Sequence, residues 1–220
     1  YCLFLFKFKL KMTKKQRAQI VMTELEKLYP QVPVPLDHSD PFTLLVAVAL
    51  SAQTTDKKVN QISPKLFEVA GDPFKMKDLE VDEIKYLIKE IGLANTKAKN
   101  LKRMAELLVE RHNGIVPQTF EELENLPGVG HKTASVVMSQ AFGVPAFPVD
   151  THIHRLMIQW QLTSGKNVIE TENDAKKLFP KSAWNKLHLQ IIFYGREYSP
   201  ARGNRENDFI TKMLLLKEMK

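Results

Sequence analysis

Two side chains in this sequence have the chemistry of a covalent reaction: Lys132 and, 18 residues later, Asp150. Lys132 follows Gly128 and Gly130, where a helix is predicted to begin. The positive end of the helix dipole disfavours a cation, and partial burial would do the same, so both effects favour the neutral amine. A neutral amine attacks an electrophilic carbon to form a Schiff base. The alternative is a solvent-facing lysine that binds phosphate.

Asp150 stands directly before another predicted helix, where an aspartate commonly serves as the N-cap. That role is compatible with chemistry, because a capping carboxylate is held rigidly. His152 and His154 are two residues apart and would point to different faces of this helix. No third ligand lies nearby, so we expect no metal site, and packing or phosphate contact is the better interpretation of each histidine.

The stretch from Leu126 to Ala134 predicts a tight turn between two helices. Gly128 and Gly130 permit unusual backbone angles and leave no side chain in the way of the exposed N–H groups. A phosphate can then approach the positive N-terminus of the second helix. This helix–hairpin–helix is a device for binding the DNA backbone without reading its sequence, and we expect contacts from Gly128, Gly130, His131 and Thr133. A glycine turn between packed helices is the structural alternative.

The elements that position these residues are predicted to be helices nearly throughout, which makes the fold class all-α. No repeat of 20 to 50 residues is present. Proline-rich segments at 30–35 and 144–149 indicate two crossings between domains. We predict a central domain at 35–146 and a second domain from 13–34 plus 147–220. The predicted helices span 14–29, 42–53, 56–70, 82–91, 95–112, 119–126, 130–143, 151–160, 170–178, 182–197 and 205–218.

The composition is that of a globular protein with a basic balance. Of the 220 residues, 44% are hydrophobic and 26% charged, and the formal net charge of +7 favours a polyanionic partner. Residues 1–12 lack an initiating Met, a span-length apolar run and a signal cleavage site, so we expect a non-native or upstream extension and no membrane association. Cys2 is the only cysteine, which excludes an intrachain disulfide and favours a cytoplasmic location, nucleoid-associated if bacterial.

Five motifs in order make the sequence resemble the endonuclease III family of helix–hairpin–helix DNA glycosylases. The resemblance runs from about residue 14 to residue 202. The motifs are PFTLLVAVALSAQTTD (41–56), IGLANTKAKN (91–100), LPGVGHKTASVV (126–137), FPVDTHIHR (147–155) and FYGREYSPARG (193–203).

The resemblance implies an all-α, two-domain glycosylase fold with a DNA cleft between the domains. It assigns Lys132 as the nucleophile that attacks C1′ of the damaged nucleotide, and Asp150 as the essential carboxylate. The implied activity is that of a bifunctional glycosylase and apurinic/apyrimidinic lyase in base excision repair. It removes oxidised pyrimidines and nicks the strand by β-elimination. The alternatives are a monofunctional or differently selective glycosylase, or a DNA-binding protein without catalysis. The implied partner is damaged double-stranded DNA, bound by a monomer.

Two further positions carry over by motif. Gln53 would fill the hole that a flipped-out lesion leaves, and Leu93 would wedge into the base stack from the opposite side. Asp56 would help to shape the lesion pocket. In isolation, Leu93 could instead be a core residue and Gln53 a surface cap.

The sequence departs from the family at its C-terminus. Many relatives carry four cysteines spaced C-x6-C-x2-C-x5-C that hold a [4Fe–4S] cluster. Here that spacing falls on Ser199, Glu206, Phe209 and Leu215, so we expect no iron–sulfur cluster and no other cofactor. We expect a helix that uses Phe209, Ile210, Met213, Leu214 and Leu216 to cover the surface instead. Arg196, Arg202 and Arg205 could supply DNA contacts that the cluster loop would otherwise make.

Overall fold

The computed structural model describes residues 12–219, with backbone only for the last two. The expected extension, apart from Met12, lies outside the described residues. Within them the regular structure is helical and no strand is formed. The helices are α1 (Lys14–Leu28), α2 (Pro41–Ser51), α3 (Asp56–Ala70), α4 (Pro73–Asp78), α5 (Val81–Leu87), α6 (Ala94–His112), α7 (Phe120–Glu124), α8 (His131–Ala141), α9 (Thr151–Gln159), α10 (Val168–Leu178), α11 (Trp184–Glu197) and α12 (Phe209–Met219), with a short 3-10 turn at Lys181–Ala183.

The chain divides into two compact units. The central unit is Pro33–Pro148, and the terminal unit joins the chain up to Val32 with the chain from Val149 onward. Among the helices of residues 12–219, none combines the length and the apolar character that crossing a membrane requires.

The central unit is organised around α2. Asp40 caps this helix by accepting hydrogen bonds from the N–H groups of Phe42 (2.8 Å) and Thr43 (2.9 Å), and Pro41 occupies the first turn, where no N–H is needed. Nearly every residue from Phe42 to Leu50 is buried, because α3, α6 and α8 all pack against this helix. The helix therefore anchors both the hairpin helix α8 and the loop that follows Ser51.

The short helix α4 was not predicted from the sequence. Asp72 caps it through the N–H of Lys75 (2.9 Å), and Pro73 stands in its first turn. This is the same Asp-Pro start that opens α2. Six residues are too few to establish a helical period, so the pattern was missed.

The terminal unit packs α9 against α10 and α11, and α1 against α10, α11 and α12. The last helix begins at Phe209 rather than near 205, because residues 201–208 form bends and a turn. Ile210 and Leu214 are buried on its inner face, and Phe209 and Met213 are half-buried. Leu216 is 57% exposed, so its predicted place on the covering face was wrong.

Candidate active site and DNA-binding residues

The hairpin lies between α7 and α8. Gly128 has φ +79°, and a Cβ there would lie only 3.0 Å from the side-chain nitrogen of Asn100. Gly130 instead has an extended backbone (φ −98°, ψ 176°) as the N-cap of α8, so the expectation of unusual angles was right for Gly128 and wrong for Gly130. Within the described residues, the N–H groups of both glycines donate to no recorded acceptor. An incoming oxyanion could accept these hydrogen bonds.

Lys132 is the second residue of α8, and its side chain is exposed. The expected partial burial was therefore wrong. Exposure also leaves the amine accessible to a substrate carbon. The structure thus places the candidate nucleophile in the turn that offers backbone N–H groups to phosphate.

His131 contacts the other helix of the hairpin. Its Nδ1 lies 2.8 Å from Oε1 of Glu124, and its ring stacks on Phe120 with a centroid distance of 5.8 Å. These contacts tie α7 to α8 across the turn. Thr133 is half-buried in the first turn of α8.

Asp150 is the N-cap of α9 in the terminal unit, whereas Lys132 belongs to the central unit. Its Oδ1 accepts a 2.8 Å hydrogen bond from the N–H of Ile153, which confirms the capping interpretation. The cap holds one carboxylate oxygen in place and leaves the other without a recorded partner among the described residues.

The two histidines that follow point to different helices. His152 packs on α11, where a Cβ at Gly195 would lie 3.0 Å from its Nδ1. Burial lowers the pKa of His152, Asp150 opposes this shift, and Arg155 adds to it. His154 contacts α10 instead, with its Nδ1 2.8 Å from Oγ1 of Thr171. Each histidine therefore has a packing role.

Gln53 and Leu93 stand in neighbouring loops of the central unit. Both have left-handed backbones, with φ +56° and +62°, which residues with a Cβ rarely adopt. A Cβ placed at Gly92 would lie 3.8 Å from the carbonyl oxygen of Gln53, so the two loops adjoin. Leu93 is 58% exposed and Gln53 is also exposed, so the alternative of a core leucine was wrong. Asp56 is half-buried in the first turn of α3.

Sequence reasoning missed Lys97, which lies beneath these two loops. The residue is only 8% exposed, and its Nζ donates to the carbonyl oxygens of Leu50 (2.8 Å) and Ala52 (2.7 Å). One signal could have revealed it: Lys97 falls on the apolar face of α6. The buried residues of that face are Lys97, Ala98, Leu101, Met104, Ala105, Leu107 and Leu108.

The C-terminal residues do not fit an iron–sulfur cluster. Ser199 is fully buried and accepts a 3.0 Å hydrogen bond from Arg155, so its hydroxyl is engaged. Glu206 and Leu215 are exposed and Phe209 is half-buried, and none of the four offers the thiolate that such clusters require. Within the described chain, no three His, Cys, Asp or Glu side chains are grouped as a metal site would need.

Comparison with known proteins identifies the family. Residues 46–181 match the model of the HhH-GPD superfamily of base excision DNA repair proteins. Endonuclease III of Escherichia coli is 44% identical over 194 residues, covering 88% of this chain and 92% of that protein, and endonuclease III of Haemophilus influenzae is 43% identical with the same coverage.

Solved structures agree with this assignment. A trapped endonuclease III–DNA covalent intermediate superposes with a TM-score of 0.85 at 39% identity, covering 88% of this chain and 92% of that one. A non-covalent endonuclease III–DNA complex gives a TM-score of 0.87 at 36% identity, covering 95% of this chain and 100% of that one. The all-α helix–hairpin–helix glycosylase fold is therefore confirmed, and the chain belongs to the endonuclease III family of base excision DNA repair enzymes.

Proposed function

We propose that Lys132 and Asp150 carry the chemistry of this enzyme. As an endonuclease III family member, the chain is a DNA N-glycosylase and an apurinic/apyrimidinic-site lyase. The observation that carries the proposal is the exposed position of Lys132 in the first turn of the hairpin helix, beside two glycine N–H groups without a recorded acceptor in the described chain. A phosphate held there would bring the neighbouring sugar to the amine.

In the proposed reaction, the neutral amine of Lys132 forms a bond to C1′ as the bond from C1′ to the damaged base breaks. Opening of the sugar ring gives a Schiff base between Lys132 and C1′. Loss of a proton from C2′ then expels the 3′ phosphate, which is the β-elimination that nicks the strand. Water finally hydrolyses the Schiff base and regenerates the lysine.

Asp150 would have an electrostatic or proton-accepting role. Its carboxylate would stabilise the positive charge that develops on the sugar, or accept the proton that Lys132 loses before attack. The hydrogen bond from the Ile153 N–H supports this role, because it fixes one carboxylate oxygen in place. A rigid carboxylate needs little reorganisation during the reaction.

The proposed substrate is damaged double-stranded DNA that contains an oxidised pyrimidine. Gln53 and Leu93 would enter the duplex from two adjoining loops and replace the stacking of the extruded base. Gly128, Gly130, His131, Thr133 and His152 would contact the backbone near the lesion. We further propose that the enzyme works as a cytoplasmic monomer without a cluster or other cofactor, which its single cysteine supports.

Borohydride trapping tests this proposal. The wild-type protein is incubated with borohydride and one of three DNAs: a thymine-glycol duplex, an abasic duplex or undamaged DNA. The yield of the covalent protein–DNA adduct is then measured. We expect adducts with the first two. Lys132→Ala should abolish trapping while retaining DNA binding, and the exposed lysine of α3, as Lys65→Ala, should trap normally. Asp150→Asn should bind but trap slowly. Undiminished trapping by Lys132→Ala would remove this lysine from the mechanism, and failure on the abasic duplex would remove the lyase assignment.

A further inference from the structure

Lys97 is a buried cation whose recorded partners are all uncharged oxygens. Besides Leu50 O and Ala52 O, its Nζ donates to Oγ1 of Thr54 at 3.2 Å. Within the described chain its hydrogen-bond acceptors include no carboxylate, and burial lowers the pKa of its ammonium group. Such a group is costly to bury, and it is retained where its hydrogen bonds organise the backbone around it.

The oxygens that Lys97 binds belong to the end of α2 and to the loop that carries Gln53. Ala52 and Thr54 flank Gln53 on both sides, and Leu50 lies in the last turn of α2. The carbonyls at a helix C-terminus lack intrahelical partners and carry partial negative charge, which an ammonium group satisfies. Three donors at one point therefore hold the backbone on both sides of the left-handed Gln53.

The same residue also holds the loop that carries Leu93. Its backbone N–H donates a 3.0 Å hydrogen bond to the carbonyl oxygen of Leu93. Leu93 is the left-handed N-cap residue of α6 and has no side-chain cap. Through its main chain and its side chain, Lys97 therefore contacts both loops whose tips are left-handed and exposed.

We propose that Lys97 is a positioning residue that holds Gln53 and Leu93 at the spacing needed to replace an extruded base. This inference rests on the roles proposed above for those two residues. In this role, Lys97 acts through the two loops and not through contact with DNA or the reacting atoms. Its replacement should impair work on duplex DNA, where the base must be extruded, and should spare the Schiff-base chemistry of Lys132 on single strands.

The test compares Lys97→Met with Lys102→Met. Methionine keeps the stem of the lysine and removes its donors. Lys102 lies on the same helix, and its Nζ binds the carbonyl oxygens of Lys77 (3.2 Å) and Leu79 (2.7 Å), far in sequence from both loops. The control thus removes the same kind of hydrogen bond from the same unit. A misplacement of the loops should lower kcat/KM on a thymine-glycol duplex by about tenfold to a hundredfold in Lys97→Met.

Borohydride trapping on a single-stranded abasic oligonucleotide supplies the second readout, because no base needs to be extruded there. We expect Lys97→Met to trap this strand at the wild-type rate, and Lys102→Met to match wild type on both substrates. Equal losses on both substrates, an undiminished duplex rate, or the same duplex loss in Lys102→Met would overturn the proposal. If the wild-type protein traps neither this oligonucleotide nor the abasic duplex, the proposed function fails instead.

A milder variant covers the case in which Lys97→Met does not fold. Thr54→Val removes one of the three oxygens around Nζ and keeps the shape of the side chain. We expect a smaller loss of kcat/KM on the duplex and unchanged trapping of the single strand. No loss on the duplex would overturn the proposal.

Discussion

The hydroxyl group of Tyr194 donates a 2.8 Å hydrogen bond to Oδ1 of Asp208 and accepts one of 3.0 Å from the N–H of Ile210. Both side chains are buried. The ring of Tyr194 also contacts Tyr198 and Phe209, with centroid distances of 5.3 and 5.7 Å. The start of α12 is thereby joined to the end of α11. Hydrogen bonds and ring contacts between side chains thus hold the start of α12 against α11.

Replacing Tyr194 with Phe should lower the free energy of unfolding. The change leaves the Ile210 N–H without its acceptor, which costs about 1–3 kcal/mol for a buried unsatisfied group. It also removes one hydrogen bond from Asp208, whose Oδ1 keeps the Thr211 N–H at 3.2 Å. Urea denaturation measures the effect. The control is Tyr86→Phe, because Tyr86 is 68% exposed and its hydroxyl group makes no hydrogen bond within the described chain. Equal stability of Tyr194→Phe and wild type would show that this hydrogen-bonded pair does not hold α12.

Chelation should leave the protein folded and active. The sequence contains one cysteine, which cannot supply the four thiolates of a cluster. The stability of the protein should therefore not depend on iron. We expect the purified protein to contain iron far below one atom per chain, and its melting temperature to be the same with and without a strong chelator. Stoichiometric iron together with a chelator-sensitive melting temperature would contradict the proposed absence of a cofactor.

The two glycines of the hairpin should respond differently to alanine. Gly128→Ala forces a Cβ into a left-handed backbone and against Asn100, so we expect a loss of stability of about 1–2 kcal/mol. Gly130 has an extended backbone and no heavy atom within 4 Å of an added Cβ. Gly130→Ala should therefore cost less, through a poorer N-cap alone. Thermal melting of both variants checks the order, and a reversed order would contradict it.

Stability should fall on mild acidification through His152. An unfolded histidine takes up a proton near pH 6.5, whereas burial lowers the pKa of folded His152. Below about pH 6.5 the unfolded chain therefore binds more protons than the folded chain, and the free energy of unfolding decreases until the folded pKa is passed. Urea denaturation across this range should give a shallower pH slope for His152→Gln than for wild type. Equal slopes for His152→Gln and wild type would contradict this prediction.

Arg202 and Arg205 should contribute differently to DNA binding. Arg205 donates to the carbonyl oxygens of Pro200 (3.0 Å) and Ala201 (3.1 Å), so it is held within its own loop. Arg202 is exposed and has no recorded partner in the described chain. Arg202→Ala should therefore reduce the slope of log affinity against log salt concentration by about one. Arg205→Ala should instead lower the melting temperature. DNA titrations at several salt concentrations measure this slope. An unchanged slope in Arg202→Ala would exclude Arg202 as a phosphate contact.

The residue types along the chain were enough to predict the chemistry and most of the helices. Asp40-Pro41 marks the start of α2, and a lysine two residues after a glycine turn marks the hairpin, because caps, turns and helix dipoles act over a few neighbouring residues. The presence of only one cysteine predicts the absence of a four-thiolate cluster from composition alone. These inferences need no knowledge of distant contacts.

Other features depended on contacts between residues far apart in sequence. In the sequence, nothing distinguishes Lys97 from other lysines. The packing of α2 against α6 brings its ammonium group to the carbonyl oxygen of Ala52, 45 residues away. Ser199 is buried and accepts a hydrogen bond from Arg155 of α9, 44 residues away in sequence. The exposure of Lys132 and of Leu216 likewise depends on which face each helix turns inward. Burial is a property of the packed chain, so only the tertiary structure could assign it.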